Sequence, residues 1–151
     1  MTAKDAVLLP PARPDIPILI AAKRPRMLEL TARYADAWNL AWFGAPDERW
    51  AGAREGLAAA CAAAGRDPAT LERTVGVTAR YPDLLEAAPA ESVGDGPALI
   101  GDEAIAAGLA AYADEDTGHV IAALEPTTPE AVARLAETVR ALRARSRAAV
   151  V

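Results

Sequence analysis

Lys23, Arg24 and Arg26 place three cations within four residues, directly behind the apolar run Pro17-Ile18-Leu19-Ile20-Ala21-Ala22. Pro25, between them, suits the first position of a helix. The cations therefore stand where a helix N-terminus offers backbone N–H groups to an anion, and the chemistry they suggest is phosphate binding. Two features pull the other way. Pro25 removes one N–H donor, and Ala21 and Ala22 restrict the close backbone approach that glycines would allow. The plain alternative is a solvated basic helix start.

A second group is aromatic. Trp38, Asn39 and Trp42 fall on the apolar run Ala37–Trp42 and at its end. They could present ring faces and an amide to a flat ligand, or pack as ordinary core. His119 is the only histidine, so one chain cannot assemble a His-based metal cluster or a His–Asp triad. Cys61 lies on the apolar stripe of an alanine-rich helix, which favours inert packing. Thr78, Arg80 and Glu125 follow strand ends and could rim a pocket, or serve as solvated polar residues. Asp114-Glu115-Asp116 reads as a solvated acidic loop, and Val93-Gly94-Asp95-Gly96-Pro97 as a turn without dinucleotide spacing.

These residues need a scaffold, and 151 residues suffice for one domain. Net charge is −5, which opposes broad nucleic-acid binding. No apolar run approaches the roughly 18 residues of a membrane span. Prolines and acids interrupt the N-terminal apolar stretch, so it does not read as a secretory signal. One cysteine allows no internal disulfide, and the expected compartment is the cytoplasm. Alanine fills about a quarter of the chain and arginine outnumbers lysine 14 to 2, so alanine carries little weight in helix assignment.

Residues 1–15 form a proline-rich lead-in, 16–146 the domain, and 147–151 a tail, with basic Arg143 to Arg147 expected to fray. Pro17–Ala22 reads as a strand buried on both faces. The helix from Pro25 offers Met27, Leu30, Thr31 and Tyr34 as its inner stripe. Ala37–Trp42 is the second strand. The helix behind Pro46 buries Trp50, Ala53, Leu57, Ala60, Cys61 and Ala64, and Gly65 stops it. Thr74–Thr78 is a third strand, followed by a long loop over 80–100. Gly101-Asp102-Glu103 caps a helix carrying Ile105, Leu109, Tyr112 and Ala113. His119–Leu124 is the fourth strand, and Thr127-Thr128-Pro129-Glu130 caps a last helix burying Val132, Leu135, Ala136, Val139 and Leu142. Four strand–helix units make an α/β fold with a parallel sheet and right-handed crossovers. Both a four-stranded open sheet and half of a (β/α)8 TIM barrel satisfy that order.

The stretch Pro17–Ala22, the basic turn, and Arg26 through Tyr34-Ala35-Asp36-Ala37-Trp38-Asn39 resembles the luciferase-like monooxygenases, the flavin- or deazaflavin-dependent relatives of bacterial luciferase. Ala64-Gly65-Arg66-Asp67-Pro68 through Glu72-Arg73, then Gly101 to Ile105, then His119-Val120-Ile121 with Pro126, resemble the same family in the same order. The resemblance covers the fifth to eighth strands of the family's barrel, its C-terminal half. It implies FMN or the deazaflavin coenzyme F-420 as cofactor. Ala22, Lys23, Arg24 and Arg26 would then lie at the phosphate end, and Trp38 and Asn39 beside the ring. The reactive-centre side chains of the family belong mainly to the other half.

A half-barrel leaves two strand edges unpaired and its inner apolar face open. The sequence therefore predicts a homo-oligomer, a separate N-terminal half-barrel chain, or a rearranged sheet. Two functions follow: an oxidoreductase segment of the luciferase-like class, or a non-catalytic half-barrel assembly or ligand-binding module. A fragment without an independent role is a third.

Overall fold

The computed structural model describes residue 13 and residues 15–85 and 96–149. Most of the proline-rich lead-in, and residues 86–95 of the expected 80–100 loop with most of its glycine-rich turn, lie outside the described residues. The elements run β1 (Leu19–Ala21), α1 (Pro25–Tyr34), β2 (Ala37–Phe43), α2 (Glu48–Ala63), a 3-10 turn (Pro68–Thr70), β3 (Glu72–Arg80), α3 (Pro82–Leu85), β4 (Leu99–Ile100), α4 (Gly101–Asp114), β5 (His119–Glu125) and α5 (Pro129–Ala149). All strand pairs are parallel. β1 pairs with β2 and β2 with β3, and β3 pairs with β5 along its length and with β4 at its end, with the long helices between strands. That is the arrangement of half of a (β/α)8 barrel.

The sequence did not show β4. Ala79 and Arg80 pair with Leu99–Ile100 and also with Leu124–Glu125, so β4 takes the edge of β3 beyond the point where β2 ends its pairing at Val77. Two residues of ladder carry no periodicity to detect.

Parallel register assigns the two faces. Ile20, Trp38, Leu40, Val75 and Val77 share the face on which the helices pack. Trp38 stacks on Trp50 of α2 at 5.4 Å, and Trp50 meets Phe43 and Tyr112 edge-on at 5.8 and 5.4 Å. The Trp50 indole N–H donates to Glu115 Oε2 at 2.7 Å, and Arg54 donates to the same oxygen. Burial raises the Tyr112 phenol well above its usual pKa, and its O–H donates to the Gly44 carbonyl. This layer is the core.

Several expectations change on this frame. The first strand is not buried on both faces: Leu19 and Ala21 are exposed, because the opposite face carries no described helix. On α1 the inner residues are Leu28, Thr31 and Ala32, while Met27, Leu30 and Tyr34 face outward. Both stripes satisfy helical spacing, and the crossing with α2 selects the one that sets Leu28 over Gly56. Ala64, Ala113 and Val132 are exposed, the last by 53%. Asp102 does not cap α4; Ile100 holds the N-cap position and Asp102 pairs with Arg134 of α5. Helix α5 continues to Ala149, past the expected start of fraying at Arg143. Trp50, Leu57 and Cys61 are buried as expected, and Gly65 ends the α2 region at φ +67°.

Candidate functional site

The C-terminal ends of the strands meet at one rim, where barrel sites are built. The turn after β1 is held by two hydrogen bonds. The Ala22 N–H donates to the Asn39 carbonyl at 3.2 Å, and the Trp38 indole N–H donates to the Ala22 carbonyl at 2.8 Å. Lys23, Arg24 and Arg26 then stand exposed at the N-terminus of α1.

That terminus lacks the features that normally satisfy one. Arg24 at the N-cap makes no side-chain cap bond, Pro25 has no N–H, and the first turn holds no acidic residue. The Met27 and Leu28 N–H groups both donate back to the Arg24 carbonyl at 2.9 Å. The N–H groups of Lys23, Arg24 and Arg26 have no hydrogen-bond acceptor among the described residues. Helix α2 shows the contrast. Asp47 accepts from the Arg49 and Trp50 N–H groups at 3.0 Å, and its side-chain bond from Arg49 holds its carboxyl below the usual range. One helix start carries its own anion; the other leaves donors and cations open to an external one.

The inner face continues from this turn. Leu40 pairs with Val75 but Phe43 pairs with Val77, so one extra residue enters β2 between them. Simple alternation would put Trp42 with Trp38 on the helix side. The bulge instead turns Phe43 into the core and lays Trp42 over Gly76. A Cβ on Gly76 would stand 2.5 Å from the Ala41 Cβ and 2.8 Å from Trp42 Cε3, so only glycine fits. A small recess of about 60 Å³ beside Trp42 is lined by Lys23, Leu40, Ala41, Phe43 and Arg49. Larger grooves of about 350–470 Å³ run along the helices or at the N-terminal ends of β3 and β5, and the one between α1 and α2 reaches Pro25 of the turn.

The residues named from sequence separate here. Ala22, Lys23, Arg24 and Arg26 lie together in the turn. Asn39 is on the inner face, where its Oδ1 accepts from the Thr74 hydroxyl at 2.8 Å. Trp38 is fully buried on the other face, stacked on Trp50, with its N–H spent on Ala22. It supports the turn from behind and does not share a face with Asn39. His119 starts β5 in register with Thr74 and, through it, with Asn39 on the inner face. Burial raises the pKa of the Cys61 thiol, consistent with an inert core residue.

Sequence reading treated Arg80 and Glu125 as separate rim residues. The register sets them side by side on β3 and β5, and Arg80 Nε donates to Glu125 Oε2 at 2.7 Å with both side chains largely buried. Opposite charges ending neighbouring strands were the available clue. Arg134 was missed as well: it binds Asp83 and Asp102 and lies over the Tyr81 ring at 4.8 Å, tying α3, α4 and α5 together. Among the described residues no group of His, Cys, Asp and Glu could hold a metal ion. No described helix is long and apolar enough to cross a membrane.

A parallel sheet with helices between its strands and a basic turn after the first strand is the arrangement of part of a (β/α)8 barrel. The chain belongs to the luciferase-like monooxygenase family, whose profile matches residues 1–150. No curated protein matches the sequence.

Proposed function

We propose that the turn after β1 and the adjoining inner face bind a flavin or deazaflavin, FMN or coenzyme F-420, and that the chain serves a flavin-type oxidoreductase of the luciferase-like class. The observation that carries this is the uncapped start of α1, with three open N–H groups and three exposed cations within four residues. Those donors fit a phosphate, although Pro25 supplies none. The recess beside Trp42 opens next to Lys23, so an aromatic surface adjoins the anion-binding turn.

When bound, such a cofactor supplies the redox chemistry, by hydride transfer or by reaction with oxygen. The chain's own residues bind and orient. Lys23, Arg24 and Arg26 neutralise the phosphate end. The Trp38 indole holds the Ala22 carbonyl, so the turn's N–H groups keep one direction; Trp38 is a positioning residue. Trp42 offers its open ring face, and Asn39 offers an amide whose oxygen is already fixed by Thr74. The single buried cysteine suits a reducing compartment such as the cytoplasm.

A specific observation favours a second reading, a non-catalytic half-barrel module. The charged residues at the inner rim, Arg80 and Glu125, form an ion pair with each other. Titration with FMN and with F-420, followed by fluorescence, tests both. Saturable binding that weakens about tenfold in Lys23→Ala and again in Arg24→Ala is expected, since hydrogen bonds to charged groups contribute about 1.5–3 kcal/mol. Binding without any cofactor turnover selects the module. No binding, or binding indifferent to both substitutions, overturns the proposal.

A further inference from the structure

The bulge in β2 opens a gap as well as turning a ring. Register slips by one residue between Leu40 and Phe43, and there Leu40, Ala41, Trp42 and Phe43 wall the recess of about 60 Å³ whose other walls are Lys23 and Arg49. That volume equals about two waters at roughly 30 Å³ each. It is too small for a fused ring system and large enough for one compact polar group.

Two cations from different loops meet there. Lys23 comes from the turn after β1 and has no ion-pair partner among the described residues. Arg49 comes from the first turn of α2 and is held in place: its Nε and Nη2 donate to Asp47 Oδ2 at 2.8 and 2.6 Å, and its Cζ lies 5.0 Å from the Phe43 ring centroid. Its Nη1 has no acceptor among the described residues. Asp47 balances the Arg49 charge, and its other oxygen takes the Arg49 and Trp50 N–H groups. The start of α2 is therefore closed by its own side chain and contributes no donors to the recess. What remains is a fixed guanidinium edge, an unpaired ammonium and apolar walls, with one positive charge in excess.

That set fits a single oxyanion group. A guanidinium matches the paired oxygens of a carboxylate or phosphate, the ammonium adds a point charge, and apolar walls strengthen both. We propose that the recess binds the phosphate or carboxylate group of a substrate, with the rest of that molecule lying along the exposed Trp42 ring. Assigning the group to a substrate rests on reading the start of α1 as the cofactor's phosphate site, since Arg24 and Arg26 stand there and do not line the recess.

Inorganic phosphate and acetate are the probes, titrated into the wild-type chain at constant ionic strength, with and without saturating FMN or F-420. One of them should bind saturably at millimolar concentration and raise the melting temperature where chloride does not; the tighter of the two identifies the group. Binding should persist with the cofactor present. Arg49→Gln should weaken it about tenfold while leaving cofactor affinity within about twofold, and Arg49→Lys should recover part of the loss. If Arg49→Gln fails to fold, the wild-type Arg49 Nε–H and Trp42 indole resonances provide the check, and both should shift on titration. No saturable binding of either anion, binding unchanged in folded Arg49→Gln, resonances that stay still, or exclusion of the anion by the cofactor would each overturn the proposal. Phosphate held through Arg49 in a chain that binds neither cofactor would strike the cofactor reading and support the recess as an anion site.

Discussion

On the helix side of the sheet, Trp38, Phe43, Trp50 and Tyr112 lock into one aromatic cluster whose polar atoms find partners in Ala22, Glu115 and Gly44. On the inner side the same strands show Leu19, Trp42 and Ile121 half open, a glycine pressed against a tryptophan, and one ion pair at the rim. The strands are common to both faces, so composition alone cannot explain the difference. It arises from what lies above each face: α1, α2, α4 and α5 on one, no described helix on the other. The closed face supplies stability, and the open face leaves its side chains uncovered.

Substituting the two tryptophans separates these roles most sharply. Trp50→Ala should cost about 3–5 kcal/mol in denaturant unfolding, as expected for a fully buried aromatic. Trp42→Ala should cost about 1 kcal/mol, because half of its surface is already open. Equal losses would erase the distinction. Gly76→Val comes next. Its side chain would collide with Ala41 and Trp42, and overpacking should cost about 1–3 kcal/mol and displace Trp42 from the recess. A smaller effect separates the two helix starts: Asp47→Ala should lose about 1 kcal/mol of stability by uncapping α2. No substitution at Arg24 should do so, since it caps nothing.

The smallest effect is on pH. Hydrogen bonds from Arg49 and Arg134 hold the Asp47 and Asp83 carboxyls below 3.8, their ordinary value. A carboxyl with a depressed folded pKa contributes stability that is present above its unfolded pKa and lost as pH falls through the folded one. Melting temperature should therefore decline as pH drops below about 3.8, and the decline should be shallower in Asp47→Ala.

How much of this was legible depended on the length of each signal. Four strand–helix units stood out because short apolar runs alternate with proline- or Asp-started helices, and the Gly65 stop and the Thr128 cap are local chemistry. The stripe of α1 was ambiguous because Met27–Tyr34 and Leu28–Ala35 differ by one position, and only packing against α2 decides. Strand β4 has two residues and no pattern. The basic turn was legible from charge and proline alone. The side on which each tryptophan falls was not, because Trp38 and Trp42 have the same parity and the bulge before Phe43 reverses the second. Pairing of Arg80 with Glu125 required the β3–β5 register, which links residues 45 apart in sequence.

Hydrogen exchange of the folded protein, with and without saturating FMN or F-420, tests most directly whether the open face is the working one. The amides of Lys23, Arg24 and Arg26 are expected to slow when cofactor is added, with the segment around Trp42 following and the α4–α5 surface unchanged. Protection that appears instead along the outer helices, or no change at the turn after β1, would contradict the assignment.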